Sequence, residues 1–206
     1  MPYLRNLLAD IGGALAEMQR PRDVTHELIA SGHVTLRDGD NFPELIAQIA
    51  ESQVGVREEG GNNNGPMVRE YQRASWLKPG PWAWCAAFVD WCLLQAVVIH
   101  GGVKWARPQT AGAYDLEGWA KGKYDERVPR YWRVVPANST PPRRGDIVTF
   151  TWPHVGIVTR YDGNIVTTVE GNTGAKTTGT RDNATGDGVF VKTHRISELR
   201  NLISLR

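Results

Sequence analysis

Apolar residues recur every three or four positions in several stretches of the first half of the chain, which is the spacing of one helical face. This pattern predicts an amphipathic helix over residues 3–18, ended by Pro21, and a second helix over residues 42–54 with Asn41 as its N-terminal cap. A shorter helix is predicted over residues 67–74. The first half of the chain is therefore expected to be mainly helical.

The longest apolar stretch follows a loop that is rich in Pro and Trp. It begins at Cys85 and runs through Ile99 to the pair Gly101-Gly102, a length of about four helical turns. A helix this apolar is expected to be buried. A further short helix is predicted over about residues 110–121.

From residue 141 onwards the pattern changes to short β-branched runs separated by turn residues. Four runs are predicted to be strands: residues 147–150, 154–159, 165–170 and 189–192. Asp162-Gly163-Asn164 has the composition of a hairpin turn, and residues 194–206 are expected to form only a short helix. This order indicates an α+β protein, with N-terminal helices packed on an antiparallel sheet of about four to six strands.

The chain is predicted to consist of one main domain, residues 43–206, preceded by an appendage, residues 1–42. The appendage contains a polar, irregular stretch over residues 21–42, with a short strand predicted over residues 33–36. It is expected either to pack on the main domain or to contact a partner. The length of 206 residues and the hydrophobic content of 41% suit one core of ordinary size.

Charge and cysteine content exclude several classes of function. The formal net charge is only +2 and the basic residues are scattered, so we expect no nucleic-acid partner. No apolar run is long enough to span a bilayer, and residues 1–20 lack the pattern of a signal peptide, so neither membrane insertion nor standard export is expected. The two cysteines lie about 10 Å apart along one predicted helix, which is beyond the reach of a disulfide.

Cys85 is the strongest candidate for chemistry. A thiol at a helix N-terminus lies near unpaired backbone N–H groups and the positive end of the helix dipole. Both features favour the thiolate, which is the nucleophilic form. Cys92, two turns further along, is expected to point into the core as a small apolar group.

A nucleophilic cysteine needs a base, and His154 has the most suitable position because it opens a β-branched strand. His194 follows the last predicted strand and is the second candidate. In a hairpin centred near residue 162, position 154 lies opposite about position 170. Glu170 or Asn172 is therefore expected to orient the imidazole, by charge or by an amide oxygen respectively, unless the two form an ordinary polar turn.

Four blocks in this order resemble the CHAP family, the cysteine, histidine-dependent amidohydrolases/peptidases related to NlpC/P60 and papain-like enzymes. The blocks are residues 84–89 (WCAAFV), 144–148 (RGDIV), 154–158 (HVGIV) and 170–172 (EGN). The resemblance extends over about residues 43–193. It implies a papain-like α+β fold in which the cysteine begins a helix that packs on an antiparallel sheet.

The resemblance also implies cleavage of an amide bond in peptidoglycan. Cys85 would be the nucleophile, His154 the base, and Glu170 and Asn172 the polar members of the site. The enzyme would be a stem-peptide endopeptidase or an N-acetylmuramoyl-L-alanine amidase, most similar to phage endolysins. It would be made in the host cytoplasm, reach the wall through holin-made openings or another route, and act as a monomer without a cofactor.

Two departures from the family pattern affect the expected site. Many CHAP enzymes have Gln before the cysteine, whereas this chain has Trp84, whose indole N–H is a weak candidate for the oxyanion donor. Some members bind calcium through Asp residues just upstream of the cysteine. Residues 72–84 contain no acidic side chain, so no metal site is predicted there; the Asn-rich loop at residues 62–64 is expected to be a solvated turn.

Trp82, Trp84 and Trp152 are expected to cluster near the cleft and to stack on sugar or flank the stem peptide. Three other functions stay open at this point. One is a wall-binding module that has lost its chemistry. Another is a cysteine-dependent amidohydrolase or toxin that acts on protein, and the third is a structural virion component.

Overall fold

The computed structural model describes residues 24–32, 34, 41–100, 107–124, 132–176 and 186–205. Five helices lie in these ranges: α1 (Thr25–Ala30), α2 (Phe42–Ser52), α3 (Pro66–Gln72), α4 (Cys85–Ile99) and α5 (Asp115–Ala120). The helices predicted to begin at residues 42, 67 and 85 are therefore confirmed. The helix predicted over residues 3–18 lies outside the described residues, and so does the strand predicted over residues 33–36 except for residue 34.

Six antiparallel strands form one sheet, in the order β1-β6-β2-β3-β4-β5. The strands are β1 (Trp132–Pro136), β2 (Ile147–Phe150), β3 (Val155–Asp162), β4 (Ile165–Thr173), β5 (Gly188–Arg195) and β6 (Leu199–Leu205). A short 3₁₀ helix, Ile196–Glu198, connects β5 to β6. The α+β class and the antiparallel sheet are confirmed.

The carboxyl-terminal segment was predicted wrongly as a helix. It forms β6, which lies between β1 and β2 and pairs with both. Leu202 and Ile203 are both fully buried and lie on opposite faces of the sheet, so both faces of the strand are covered at this point. A central strand covered on both faces lacks simple alternation, and pairing with its neighbours outweighs the weak helical pattern.

Helix α4 is the central helix of the fold and is buried along almost its whole length. It packs against α2 and α3 on one side and against β3 and β4 on the other. An apolar surface on every side suits this position, because no face of the helix meets solvent over most of its length. The start of α4 is therefore held firmly against the sheet.

Gly171 allows strand β4 to approach the beginning of α4 closely. A Cβ atom at Gly171 would lie 2.7 Å from both Phe88 Cβ and Trp84 Cζ3. Any larger residue would push the strand away from the helix. This contact brings the end of β4 to the helix turn that carries Cys85.

The turn before β2 joins the sheet to α2. Arg144 donates from Nε to Glu44 at 2.8 Å and from Nη2 to Glu51 at 2.7 Å. Gly145 has φ +85°, and a Cβ there would lie 2.1 Å from the carbonyl oxygen of Pro43. The RGDIV block at residues 144–148 therefore has a structural role at this turn.

Helix α1 packs on the main core although it lies in the segment predicted to be an appendage. Leu28 and Val34 are buried in the same apolar cluster as α4. The backbone N–H of Val24 also donates to Gln95 Oε1 of α4 at 3.3 Å. This part of the segment thus packs on the main domain, and the proposed division at residue 42 stays a prediction.

Candidate active site

Cys85 is the first residue of α4. The first backbone hydrogen bond of the helix runs from Phe88 N–H to the carbonyl of Trp84, at 2.9 Å. The amides of Cys85 and the two residues after it therefore have no acceptor within the helix. Only 6% of Cys85 is exposed, so its thiol lies at the end of the helix dipole and largely away from solvent.

His154 is placed by a tight connection between β2 and β3. Its carbonyl accepts from Phe150 N–H at 3.2 Å, and its own N–H donates to the carbonyl of Trp152 at 2.7 Å. The imidazole stacks on the Phe150 ring, with centroids 5.7 Å apart and an angle of 27° between the ring planes. The ring is 1% exposed and is fixed by its backbone and by this contact.

Glu170 on β4 contacts the imidazole directly, with Oε2 2.9 Å from His154 Nε2. Ile157 pairs with Val169, which places Gly156, and not His154, beside Glu170. The predicted hairpin register was therefore two positions wrong, because the chain turns between Asp162 and Ile165, further along than the predicted centre near residue 162. The side chain of Glu170 still reaches His154 along the same face of the sheet.

The electrostatics of this pair favour an ion pair. Burial by itself would lower the pKa of His154, but its interactions with Cys85 and Glu170 outweigh burial and raise that pKa to about 10. Burial would raise the pKa of Glu170, yet the hydrogen bonds from His154 and His194 hold it well below its usual range. At neutral pH the site therefore contains an imidazolium and a carboxylate.

The two ring nitrogens of His154 have different roles. Nε2 is engaged by Glu170, whereas Nδ1 makes no hydrogen bond of standard geometry with a described residue. Nδ1 is therefore the nitrogen left for the nearby Cys85 thiol, whose interaction with His154 raises the pKa of the ring. Catalytic hydrogen bonds are often long or poorly aligned before substrate binds.

Asn172 lies near the end of β4, two residues beyond Glu170. It is buried, has φ +56°, and accepts a hydrogen bond from Gly186 N–H through its carbonyl oxygen at 3.1 Å. Of the two residues expected to orient His154, Glu170 is the one that contacts the ring in this structure.

Trp84 lies in the core, in contrast to the expectation that it faces the cleft. It is fully buried and stacks on Tyr71, with ring centroids 5.5 Å apart. Its indole N–H donates to Glu58 Oε1 at 2.8 Å, so it is not available to an oxyanion. In this structure Trp84 is a packing residue.

The other two predicted substrate-binding tryptophans differ in exposure. Trp152 is 7% exposed and stacks on Phe150 with centroids 5.0 Å apart, so most of its surface is also buried in the core. Trp82 is partly exposed in the loop before Cys85, and its indole donates to the carbonyl of Lys78 at 2.8 Å. Of the three, Trp82 presents the most surface to a ligand.

Gln72 holds the loop that precedes Cys85. Its Nε2 donates to the carbonyls of Gly80 and Trp82, at 2.7 and 3.0 Å, and its Oε1 accepts from Gly80 N–H at 3.1 Å. Both amide hydrogens are thus used within the protein. This role of Gln72 is not evident from the sequence, because a single glutamine at the end of a helix carries no distinctive pattern.

A cavity of about 280 Å³ lies beside the same loop. It is lined by the Asn-rich turn, residues 60–64, by Arg69 and Gln72, and by residues 79–81. Glu58 connects this turn to the start of α4, since it accepts from Asn63 N–H as well as from the Trp84 indole. The cavity therefore adjoins the segment that positions the thiol.

Cys92 lies deep in the core and has no exposed surface. Burial raises the pKa of its thiol well above the usual value, so it stays protonated. The structure describes both cysteines, and neither forms a disulfide. The expectation that Cys92 is an apolar core residue is confirmed.

Three polar residues around Glu170 form an arrangement that the sequence did not indicate. Thr168 Oγ1 donates to Glu170 Oε1 at 2.5 Å, and His194 Nε2 lies 2.6 Å from the same oxygen. Lys192 is buried nearby, and Glu170 acts to raise its pKa against the lowering caused by burial. Alternate positions on β4 and β5 share a face, but strand pairing was needed to show that these faces meet.

Two further properties concern only the described residues. No group of three or more His, Cys, Asp or Glu side chains among them is arranged to hold a metal ion. No helix in the described ranges is long and apolar enough to cross a membrane.

Comparison with known proteins gave one family match. The family model described as "CHAP domain" matches residues 77–172. No curated protein matches the sequence. One solved structure, titled "The crystal structure of Ly7917", is 17% identical with a TM-score of 0.43, and the match covers 79% of this chain and 62% of that chain. The chain thus matches less than two thirds of the length of that structure.

Proposed function

Because residues 77–172 match the CHAP domain family, we propose that the chain hydrolyses an amide bond of peptidoglycan by a cysteine–histidine acyl-transfer mechanism. The family match implies a cysteine, histidine-dependent amidohydrolase. The hydrogen bond between His154 and Glu170, in a site where Cys85 interacts electrostatically with the same ring, is the single observation that carries the mechanism. A papain-like fold agrees with the helix that begins at Cys85 and packs on an antiparallel sheet.

In the proposed mechanism the Cys85 thiolate attacks the carbonyl carbon of the scissile amide, forming a C–S bond and an oxyanion. The protonated His154 gives its Nδ1 proton to the departing amine as the C–N bond breaks. Water then transfers a proton to His154 and attacks the thioester, and the C–S bond breaks to regenerate the thiolate. Glu170 stabilises the imidazolium in both halves of the cycle.

The oxyanion is proposed to be stabilised by backbone amides. The N–H of Cys85 lies at the start of α4, where the dipole is positive and the helix offers no acceptor. The side chains of Trp84, which precedes Cys85, and of Gln72, which holds the loop before it, are both engaged with protein acceptors. Backbone amides in the first turn are therefore the donors that best fit the site.

A phage endolysin is the biological role that we propose, on the basis of the sequence resemblance. The substrate is a stem-peptide bond or the bond between muramic acid and L-alanine. Trp82, partly exposed in the loop before the thiol, is proposed to contact the stem peptide or the adjacent sugar. Asn172, at the end of β4, is proposed as a further polar member of the site.

The test is digestion of purified peptidoglycan followed by mass spectrometry of the products. Wild-type protein and the Cys92→Ser variant should both release products, whereas Cys85→Ala should release none while keeping its circular dichroism spectrum. New free amino groups with split stem peptides identify an endopeptidase, and free lactyl groups on muramic acid identify the amidase. Full activity of Cys85→Ala would contradict the assignment of the nucleophile.

Substrate range needs a separate control. Peptidoglycan from several wall types and a set of denatured proteins should be incubated with the same enzyme preparation. Release of wall products without cleavage or deamidation of protein supports the proposal. Activity confined to protein would instead indicate the protein-directed amidohydrolase, and binding of wall without any product would indicate a non-catalytic module.

A further inference from the structure

Glu170 is shared between two buried histidines. Its Oε2 lies 2.9 Å from His154 Nε2, and its Oε1 lies 2.6 Å from His194 Nε2. All three side chains are about 1% exposed. The mechanism above uses His154 and Glu170 but gives no role to His194, although burying a second titratable ring against the same carboxylate requires compensation.

The donors around Glu170 are distributed unequally between its two oxygens. Oε1 accepts from Thr168 Oγ1 at 2.5 Å and faces His194, whereas the contact of Oε2 is with His154. An ionised carboxylate only accepts hydrogen bonds, so the His194 nitrogen that faces it must carry a hydrogen. With Oε1 held in this way, rotation of the carboxylate is restricted and Oε2 stays directed at His154.

The His194 ring is itself held on several sides. It packs against Phe150, with ring centroids 4.4 Å apart, and against Trp152 at 6.0 Å. Its Nδ1 lies 3.8 Å from Glu198 Oε2, a side chain that is one third exposed. The ring therefore has a fixed orientation in which only Nε2 reaches Glu170.

The other charged or titratable groups near Glu170, His154 and His194 lie on neighbouring elements. Lys192 on β5 directs Nζ to the carbonyl of Gly174, at 2.8 Å, and to that of Lys176. Cys85 on α4 acts on the cluster through His154. Glu198, in the 3₁₀ helix, faces the outer nitrogen of His194. Lys192 is thus committed to backbone carbonyls, so the direct donors to the carboxylate among the described residues are Thr168 and the two histidines.

We propose that His194 is a positioning residue of the active site. By donating from Nε2 to Glu170 Oε1, it fixes the carboxylate so that Oε2 accepts the Nε2 hydrogen of His154, which leaves Nδ1 of His154 to exchange a proton with Cys85. This inference rests on the proposed cysteine–histidine mechanism. His194 does not contact the thiol or the substrate, and its effect passes through Glu170.

The hydrogen bond from His194 should affect how the reactivity of Cys85 depends on pH. The hydrogen bond from His194 is one of the interactions that hold the pKa of Glu170 down against burial. Without it that pKa rises, and the carboxylate becomes protonated at a less acidic pH. The acidic limb of Cys85 reactivity should therefore move to higher pH when the donor is removed.

Two substitutions separate hydrogen bonding from packing. His194→Phe keeps an aromatic ring against Phe150 but has no donor, whereas His194→Gln retains an N–H that can reach Glu170. Iodoacetamide labelling of Cys85, followed by mass spectrometry across a pH series, measures thiol reactivity without peptidoglycan. Steady-state hydrolysis of a soluble muropeptide then gives kcat and KM, and circular dichroism checks the fold.

For His194→Phe we expect kcat to fall about tenfold or more with KM within about twofold of wild type, because a hydrogen bond to a charged group is lost. The acidic limb of labelling should move up by about one pH unit. His194→Gln should keep kcat within about threefold of wild type. A His194→Phe protein with unchanged kcat and labelling profile, or a folded His194→Gln protein as impaired as His194→Phe, would overturn the proposal.

Nitrogen-15 NMR of the wild-type imidazoles provides a test that does not depend on whether the variants fold. The proposal requires a hydrogen on Nε2 of both His154 and His194 at neutral pH. An unprotonated Nε2 on His194 would overturn it. Labelling and NMR need no substrate, so they test the role of His194 even if no wall product is found. Failure of the His194 proposal is therefore distinguishable from failure of the proposed function.

Discussion

Gly156 lies against the aliphatic part of Glu170, and a Cβ atom at Gly156 would come within 2.7 Å of Glu170 Cγ. The same Cβ would lie 3.3 Å from the carbonyl oxygen of Val169. The missing side chain is what lets the Glu170 carboxylate lie across β3 and reach His154. A glycine two residues after His154 is thus part of the geometry of the site.

Gly156→Ala should therefore reduce activity by displacing Glu170. We expect kcat to fall by about tenfold or more and the free energy of unfolding to fall by about 1–3 kcal/mol through overpacking. Hydrolysis of a soluble muropeptide and thermal unfolding measure the two effects. Gly163→Asn, at a hairpin turn with open space around it and a φ of +63° that Asn tolerates, is the matched control and should keep wild-type activity. Wild-type kcat in Gly156→Ala would show that Glu170 need not hold this position.

The activity of the enzyme should persist to alkaline pH. The pKa of His154 is raised to about 10, so the ring keeps the proton that it gives to the leaving amine until the pH approaches that value. The kcat of a soluble muropeptide, measured from pH 5 to pH 11, should show its alkaline limb near this pKa. An alkaline limb near neutrality would mean that His154 titrates as an ordinary, unpaired imidazole.

The His154–Glu170 pair should also make stability depend on pH in a defined direction. The raised pKa of His154 contributes stability that is complete below 6.5 and is lost as pH rises towards about 10. The lowered pKa of Glu170 contributes stability that is present above 4.5 and is lost as pH falls below it. Both contributions are therefore complete only between pH 4.5 and 6.5.

Urea unfolding of wild type and Glu170→Gln across this range measures the contribution of the pair. The difference in unfolding free energy between the two proteins should be largest between pH 4.5 and 6.5 and should become smaller at lower and at higher pH. Arg160→Gln, a change to a side chain that is 74% exposed, should give a nearly constant difference and serves as the control. A Glu170→Gln difference that is equally constant with pH would contradict the ion pair.

Trp84 and Trp82 should respond differently to substitution. Trp84→Phe leaves Glu58 without its indole donor and opens space beside Tyr71, so the unfolding free energy should fall by about 1–3 kcal/mol with little change in KM. Trp82→Ala removes a partly exposed ring and should raise KM a few-fold (~3- to 10-fold) with a smaller loss of stability. Thermal unfolding and steady-state kinetics on the same samples test both expectations. A larger rise in KM for Trp84→Phe than for Trp82→Ala would reverse the assignment.

Gln72→Leu should loosen the loop before the thiol. The substitution removes the hydrogen bonds to Gly80 and Trp82 and leaves their backbone groups without this partner. We expect the unfolding free energy to fall by about 1–3 kcal/mol and iodoacetamide labelling of Cys85 to change in rate. Gln48→Leu, on α2, should affect stability less because its amide bonds a partly buried carboxylate within the same helix. Equal effects of the two substitutions would show that the loop is held by other contacts.

The sequence by itself determined the elements whose signals are local. The apolar run that begins at Cys85 predicts a buried helix, because an apolar surface favours burial whichever elements cover it. The helix cap at Asn41 was predicted from the known preference of asparagine side chains for that position. The hairpin turn at Asp162 followed from its composition. Cys85 and His154 were likewise selected from their positions at the start of a helix and of a strand.

Tertiary structure alone decided the relationships between distant segments. The last strand, Leu199–Leu205, takes its form from pairing with β1 and β2, which no local pattern contains. A bulge in the hairpin shifts its register and places Gly156 beside Glu170, and the burial of Trp84 depends on Tyr71 and Glu58. His194 meets Glu170 only because β5 pairs with β4. Local propensity specifies short-range hydrogen bonds and burial. The distances that define this site depend instead on how the strands pair and on which positions between them are glycine.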